Sequence, residues 1–197
     1  MNKILGAAAV LSMSLFACGP MTGTDAGTNV DAGTDAGTAA PTCASYCTSV
    51  MANCVGANAQ YSSEAACLGS CSAFAAGASG ATSGNTLGCR AYHAGASTAD
   101  VVVHCPHAGP AGDATCGSNC ESFCTVAIAK CAGTFTDLGA CTTACAAFPT
   151  NAAHYNQSTT SGNSFACRMY HLSVAATDST QATTHCPHIT TVSATCM

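Results

Sequence analysis

Apolar positions fall into three regimes along the chain. From Ile4 to Ala17 they form an unbroken run of apolar or small residues behind Asn2 and Lys3. From Thr24 to Thr42 they almost vanish: Asp-Ala-Gly-Thr recurs three times, and Val30 is the sole large apolar residue. From Cys43 onward they return as short Ala-rich segments in which cysteines stand four positions apart: Cys43 with Cys47, Cys67 with Cys71, Cys120 with Cys124, Cys141 with Cys145. Four positions is about one helical turn, so each pair shares a helix face. Short polar residues that can cap free amides stand at Ser62-Ser63-Glu64 and at Thr136-Asp137, and mark helix starts. A third helix carries Cys89, Tyr92 and His93, and its later copy Cys167, Tyr170 and His171, at i, i+3 and i+4. On that spacing thiol, phenol and imidazole share a face, while Arg90 and Arg168 point elsewhere. Pro106 and Pro187 are expected to end or exclude helix in the His-Cys-Pro-His segments that follow. These patterns predict a small, mainly α, disulfide-rich fold of two tandem eight-cysteine repeats built from short helices and loops.

The first run, residues 1–17, reads as a signal peptide, since it is shorter than the roughly 20 residues that a bilayer core requires and has a basic flank. Leu15-Phe16-Ala17-Cys18 resembles the lipobox of bacterial lipoproteins. That resemblance covers about the first nineteen residues and implies cleavage before Cys18 and diacylation of its sulfur. Gly19, in place of Asp, resembles the outer-membrane sorting class of that family. The expected location is therefore the cell envelope, lipid-anchored at the outer membrane on its periplasmic or surface face, with the membrane as partner. Residues 18–42 cannot bury enough surface to offset their ordering entropy and read as a disordered tether. As a Gly-rich coil it would span about 27 Å.

Seventeen cysteines are present. With Cys18 set aside, the rest form two sets with the same order of gaps: Cys43, Cys47, Cys54, Cys67, Cys71, Cys89, Cys105 and Cys116, then Cys120, Cys124, Cys131, Cys141, Cys145, Cys167, Cys186 and Cys196. Phe123, Phe135 and Phe148 match Tyr46, Tyr61 and Phe74, so residues 43–116 and 120–196 are a tandem duplication. In an exported chain with no Trp and few large apolar residues, eight cysteines per repeat read as four bridges, with metal clusters as the alternative. Two helices carrying these cysteine pairs, laid antiparallel, would bridge in nested fashion, Cys43 to Cys71 and Cys47 to Cys67. That arrangement is similar to the twin CX3C hairpin of small intermembrane-space chaperones, over about thirty residues per repeat and without functional implication.

The segment Ser83-Gly-Asn-Thr-Leu-Gly-Cys-Arg-Ala-Tyr-His93 returns as Ser161-Gly-Asn-Ser-Phe-Ala-Cys-Arg-Met-Tyr-His171, and each copy is followed by His-Cys-Pro-His. Each repeat thus offers three histidines at matched positions: His93, His104 and His107, then His171, His185 and His188; His154 alone lies outside the pattern. Three neutral imidazoles with an open fourth position suit zinc or copper. Equally, a duplicated domain copies histidines that only cap helices or satisfy carbonyls. Arg90 and Arg168, two of the three cations beyond the leader, are expected to fork onto carbonyls or a carboxylate and lock the fold.

Cys-x-x-Cys, Gly-x-Ser-x-Gly, phosphate-loop and His-Glu-x-x-His motifs are all missing from the sequence, and no carboxylate pair repeats, so no catalytic constellation is expected. A net charge of −5 with so few cations disfavours nucleic acid. Two functions remain open at this stage. One is a non-catalytic envelope lipoprotein whose stapled modules act in structure, adhesion or binding. The other is a copper- or zinc-binding or electron-transfer accessory protein with one three-histidine site per repeat.

Overall fold

Each repeat opens with a helical hairpin stapled twice. In the computed structural model, which describes residues 39–150 and 153–197, α1 (Cys43–Asn53) lies against α2 (Glu64–Cys71), joined by Cys43–Cys71 and Cys47–Cys67. The second repeat matches it with α5 (Asn119–Lys130) and α6 (Leu138–Ala146), joined by Cys120–Cys145 and Cys124–Cys141. The caps are those expected from short polar residues. Ser63 accepts from the Ala66 amide and Asp137 from the Ala140 amide, while Thr42 with Ser45 and Ser118 with Glu121 form capping boxes. The leader, Cys18 and the tether as far as residue 38 lie outside the described residues.

A second helix pair follows in each repeat: α3 (Leu87–Ala96) with α4 (Val101–Ala108), and α7 (Phe165–Ala175) with α8 (Ser179–His185). Cys54–Cys105 ties the end of α1 to α4, and Cys89–Cys116 ties α3 to the end of the repeat. Cys131–Cys186 and Cys167–Cys196 do the same in the second copy. All eight bridges close within their own repeat, and the described residues hold no strand. Taken alone, a loop as long as that between Cys54 and Cys105 is worth about 4 kcal/mol of denatured-state entropy. No helix among the described residues is long and apolar enough to cross a membrane.

Two local expectations are corrected. Pro106 sits inside α4 rather than ending it. The amide it lacks would have bonded the carbonyl of Val102, on an exposed residue of the helix's first turn. At Pro187 the chain does leave the α-helix, passing into a 3-10 turn at Cys186–Ile189. The face of α3 also differs. Its buried arc comprises Cys89, Arg90, His93 and Ala94, with Arg90 fully buried and Tyr92 43% exposed. At about 100° per residue that arc is centred between Cys89 and Ala94. Arg90 therefore falls in its middle and Tyr92 on its rim.

The arginines serve as core residues. Arg90 donates from Nε to the Gly109 carbonyl (3.3 Å), from one terminal nitrogen to the Thr86 carbonyl (3.3 Å) and from the other to Ser122 Oγ (2.9 Å). Its guanidinium lies 3.5 Å over the Phe74 ring. Arg168 donates to the carbonyls of Thr190 and Ser164 and to Asn163 Oδ1, each at 3.0 Å, and lies 4.3 Å over Phe148. A carbonyl cage with an aromatic floor is thus repeated, and among the described residues no carboxylate comes within ion-pair distance of either guanidinium.

Ser122 belongs to the second repeat, so Arg90 also ties the repeats together, and the described residues form one compact unit. Phe74 of the first repeat lies in the core built by Phe123, Met169 and Leu172 of the second. Gly69 on α2 approaches the Ala176 carbonyl so closely that a Cβ there would be driven into backbone.

Excess reductant at neutral pH is expected to abolish the helical far-ultraviolet dichroism, since each bridge contributes about 2–4 kcal/mol and the apolar core is small; an unchanged spectrum would contradict the staple argument. Arg90→Ala removes one hydrogen bond each from the Gly109 and Thr86 carbonyls and the Ser122 hydroxyl and opens space above Phe74. It should cost about 3 kcal/mol or more, read as a lowered chemical-denaturation midpoint.

Candidate metal centre

The histidines converge because two bridges and two caps aim them. Thr86 starts α3, and two turns later His93 emerges on its buried face, one turn beyond bridged Cys89. Asp100 caps α4 by accepting from the Val102 and Val103 amides, and the i, i+3 pair His104 and His107 then flanks bridged Cys105. The second copy aims His171 from α7, and His185 and His188 from either side of Cys186.

In both repeats one ring nitrogen from each of the three histidines lies within 4.8 Å of the others. His93 Nδ1 stands 2.9 Å from His104 Nδ1, and His171 Nδ1 stands 2.7 Å from His185 Nδ1 and 3.3 Å from His188 Nδ1. The opposite nitrogen of each central ring is anchored. His93 Nε2 donates to the Thr82 carbonyl at 3.1 Å, and His171 Nε2 to the Thr160 carbonyl at 3.0 Å. A carbonyl oxygen can only accept, so Nε2 carries the hydrogen and the Nδ1 lone pair faces the cluster.

That tautomer decides what the cluster can do. A neutral imidazole has one in-plane lone pair, so His171 Nδ1 can accept well from one neighbour and not from two. A cation shared by all three rings satisfies every lone pair at once. Bonds of about 2.0–2.1 Å place ligand nitrogens about 3.3 Å apart around tetrahedral zinc and about 2.9 Å apart at right angles around copper. The observed separations bracket both values. In the first repeat the Nδ1 of His107 is buried and has no hydrogen-bond partner, a lone pair left for an acceptor-seeking ligand. The sulfurs of Cys89 and Cys116, and of Cys167 and Cys196, also come near the central rings, but they are consumed in bridges and supply no thiolate.

Burial sets the protonation state. It pushes His93, His107 and His185 below the ordinary imidazole value and His171 down to about 4, with neighbouring histidines adding to each shift. At neutral pH these rings are uncharged, the form that binds metal. Tyr92 and Tyr170 stand edge-on to the central rings, with centroids 5.1 and 5.2 Å away.

Sequence reasoning grouped these six residues but missed their supports. The anchoring carbonyls of Thr82 and Thr160 lie at the head of the two Thr-Ser-Gly-Asn segments, whose Gly84 and Gly162 take left-handed φ of 92° and 84°. That repeat was the available signal. Gly84 N donates to Thr115 O (3.0 Å) and Gly162 N to Thr195 O (3.2 Å), pinning each anchor to the residue before the last cysteine.

A family model described as the BfoA family C-terminal domain matches residues 20–120, which spans the tether and the first repeat. No curated protein and no solved structure matches the chain.

The lowered imidazoles make the metal-free protein acid-sensitive. Unfolded histidines titrate near 6.5, so below that pH the unfolded chain binds more protons than the folded one. Stability should be constant above about pH 7 and fall as pH drops through 6.5 toward 4. Denaturation midpoints of the metal-free protein at pH 7.5 and 5.0 are the check, and His171→Asn should show the shallower fall.

Proposed function

The chain belongs to the BfoA C-terminal domain family, and from the paired imidazole clusters and the sequence around Cys18 we propose that it is a non-catalytic, lipid-anchored envelope protein that binds copper or zinc at one three-histidine site per repeat. The supporting observation is the convergence of three ring nitrogens in both repeats while only the central ring faces a carbonyl. Histidines serving only as scaffold would each satisfy a different backbone group. These rings instead face one another, and His107 Nδ1 is left unpartnered. His93, His104 and His107 would hold one ion, and His171, His185 and His188 the other. The bound ion would supply an open coordination position for a small ligand or for transfer to a partner.

The anchor reading rests on the sequence around Cys18, and the structural or adhesive reading becomes the stronger one should the metal sites fail. Two measurements test the proposal. The mature protein, purified without a histidine tag and loaded with copper or zinc, should carry about two ions per chain, and the His93→Ala, His171→Ala double variant should lose most of them. Equal metal in both proteins would return the histidines to a scaffolding role. Cys18→Ser should move the protein from the membrane to the soluble fraction; retention in the membrane would remove the lipid anchor.

A further inference from the structure

The two histidine clusters are copies, but their surroundings are not. Three residues before the last cysteine of the first repeat stands Asp113, and the same place before Cys196 is held by Ser193. Asp113 and Ala114 both adopt left-handed backbone, with φ of 49° and 63°, an arrangement that non-glycine residues keep only when the surroundings enforce it. It turns the carboxylate inward, to 13% exposure, with Oδ2 3.9 Å from His107 Nε2. The same oxygen accepts from His154 Nδ1 at 2.8 Å. His154, the one histidine outside the repeat pattern, comes from the second repeat. In that repeat the Ser193 hydroxyl accepts instead from the Thr195 and Cys196 amides, and among the described residues no carboxylate lies within 4.0 Å of His171, His185 or His188.

Resting on the three-histidine reading, we infer that Asp113 is a positioning residue for the first metal site, that His154 holds it in place, and that the two sites therefore differ in affinity, the first being the tighter. At 3.9 Å the carboxylate acts on Nε2 through its charge rather than a hydrogen bond, favouring the tautomer with its hydrogen on Nε2 and its Nδ1 lone pair free for the ion. That Nδ1 is the buried atom with no partner. The carboxylate also adds negative charge behind the ligand, which raises its basicity toward a divalent cation, as outer carboxylates commonly do behind metal-bound imidazoles. His188 lacks this support, and its Nδ1 leans on His171 Nδ1 at 3.3 Å.

The test titrates zinc sulfate, against a competing chromophoric chelator, into the full mature chain in detergent. His171→Ala leaves only the first site and His93→Ala only the second. The first-site form should bind about 10-fold tighter or more, and adding Asp113→Asn to it should remove about that factor while leaving the second site unchanged. Asn is among the residues that tolerate left-handed backbone, so the melting temperature of the metal-free protein should hardly move, and a purely structural effect is thereby separated. The exchange Ser193→Asp, read in the second-site form, should tighten it and stands in if Asp113→Asn does not fold. Equal affinities in the two single-site forms, or no effect of Asp113→Asn, would overturn the assignment and leave the three-histidine reading standing. Zinc binding by neither form would overturn both.

Discussion

The bridge from Cys54 to Cys105 is the contact on which the rest of the first repeat depends, as Cys131–Cys186 is in the second. Its far end lies between His104 and His107, and its near end is the C-cap of α1, itself stapled twice to α2. Cys89–Cys116 does the same for His93, fixing it one turn from a bridged position. The two helices that carry the ligands are thus located by covalent bonds rather than by packing. Imidazoles that crowd and shed their charge are unfavourable neighbours, and a core this short of Leu, Ile and Phe would not hold them together. Disulfides in the same places supply the constraint without occupying the cluster, because the sulfurs they consume are those nearest the central ring.

A second consequence of the small core is the use of arginine in its centre. Arg90 and Arg168 each do the work of a large apolar side chain, covering an aromatic ring, and also that of a hydrogen-bond hub, gathering carbonyls from loops and helix starts. The carbonyls that Arg90 collects include that of Gly109, just past the end of α4, so the guanidinium fixes the helix bearing two ligands from below while Cys105 fixes it from the side. Burial depresses the guanidinium's affinity for its proton, but from a starting value so high that the cation persists.

What the sequence made legible was whatever repeats or has a period. The four-residue cysteine spacing and the caps at Ser63 and Asp137 led directly to the stapled hairpins, and the matched histidines to the clusters. What it concealed came from tertiary placement. Arg90 was assigned to the wrong side of α3 because the buried arc of a helix enclosed by bridges is wider than an i, i+4 stripe. Pro106 was read as a helix stop, whereas an eight-residue helix with an exposed first turn tolerates it. Asp113 and His154 carried no signal at all. They occur once, lie 41 positions apart, and meet only because the repeats share a core.

That last contact gives two copies of one histidine cluster different surroundings. Ligands are constrained by the bridges that hold them, so duplication preserves all six imidazoles together with the cysteines. The residues behind them carry no such constraint. Ser193, serving only its own turn, is sufficient for the fold, whereas Asp113 needs strained backbone and a partner from the other repeat. Because His154 reaches Asp113 from the second repeat, the ordering of the first cluster is coupled to the packing between repeats. In such an arrangement the shared core, and not only each four-bridge module, shapes the surroundings of the first histidine cluster.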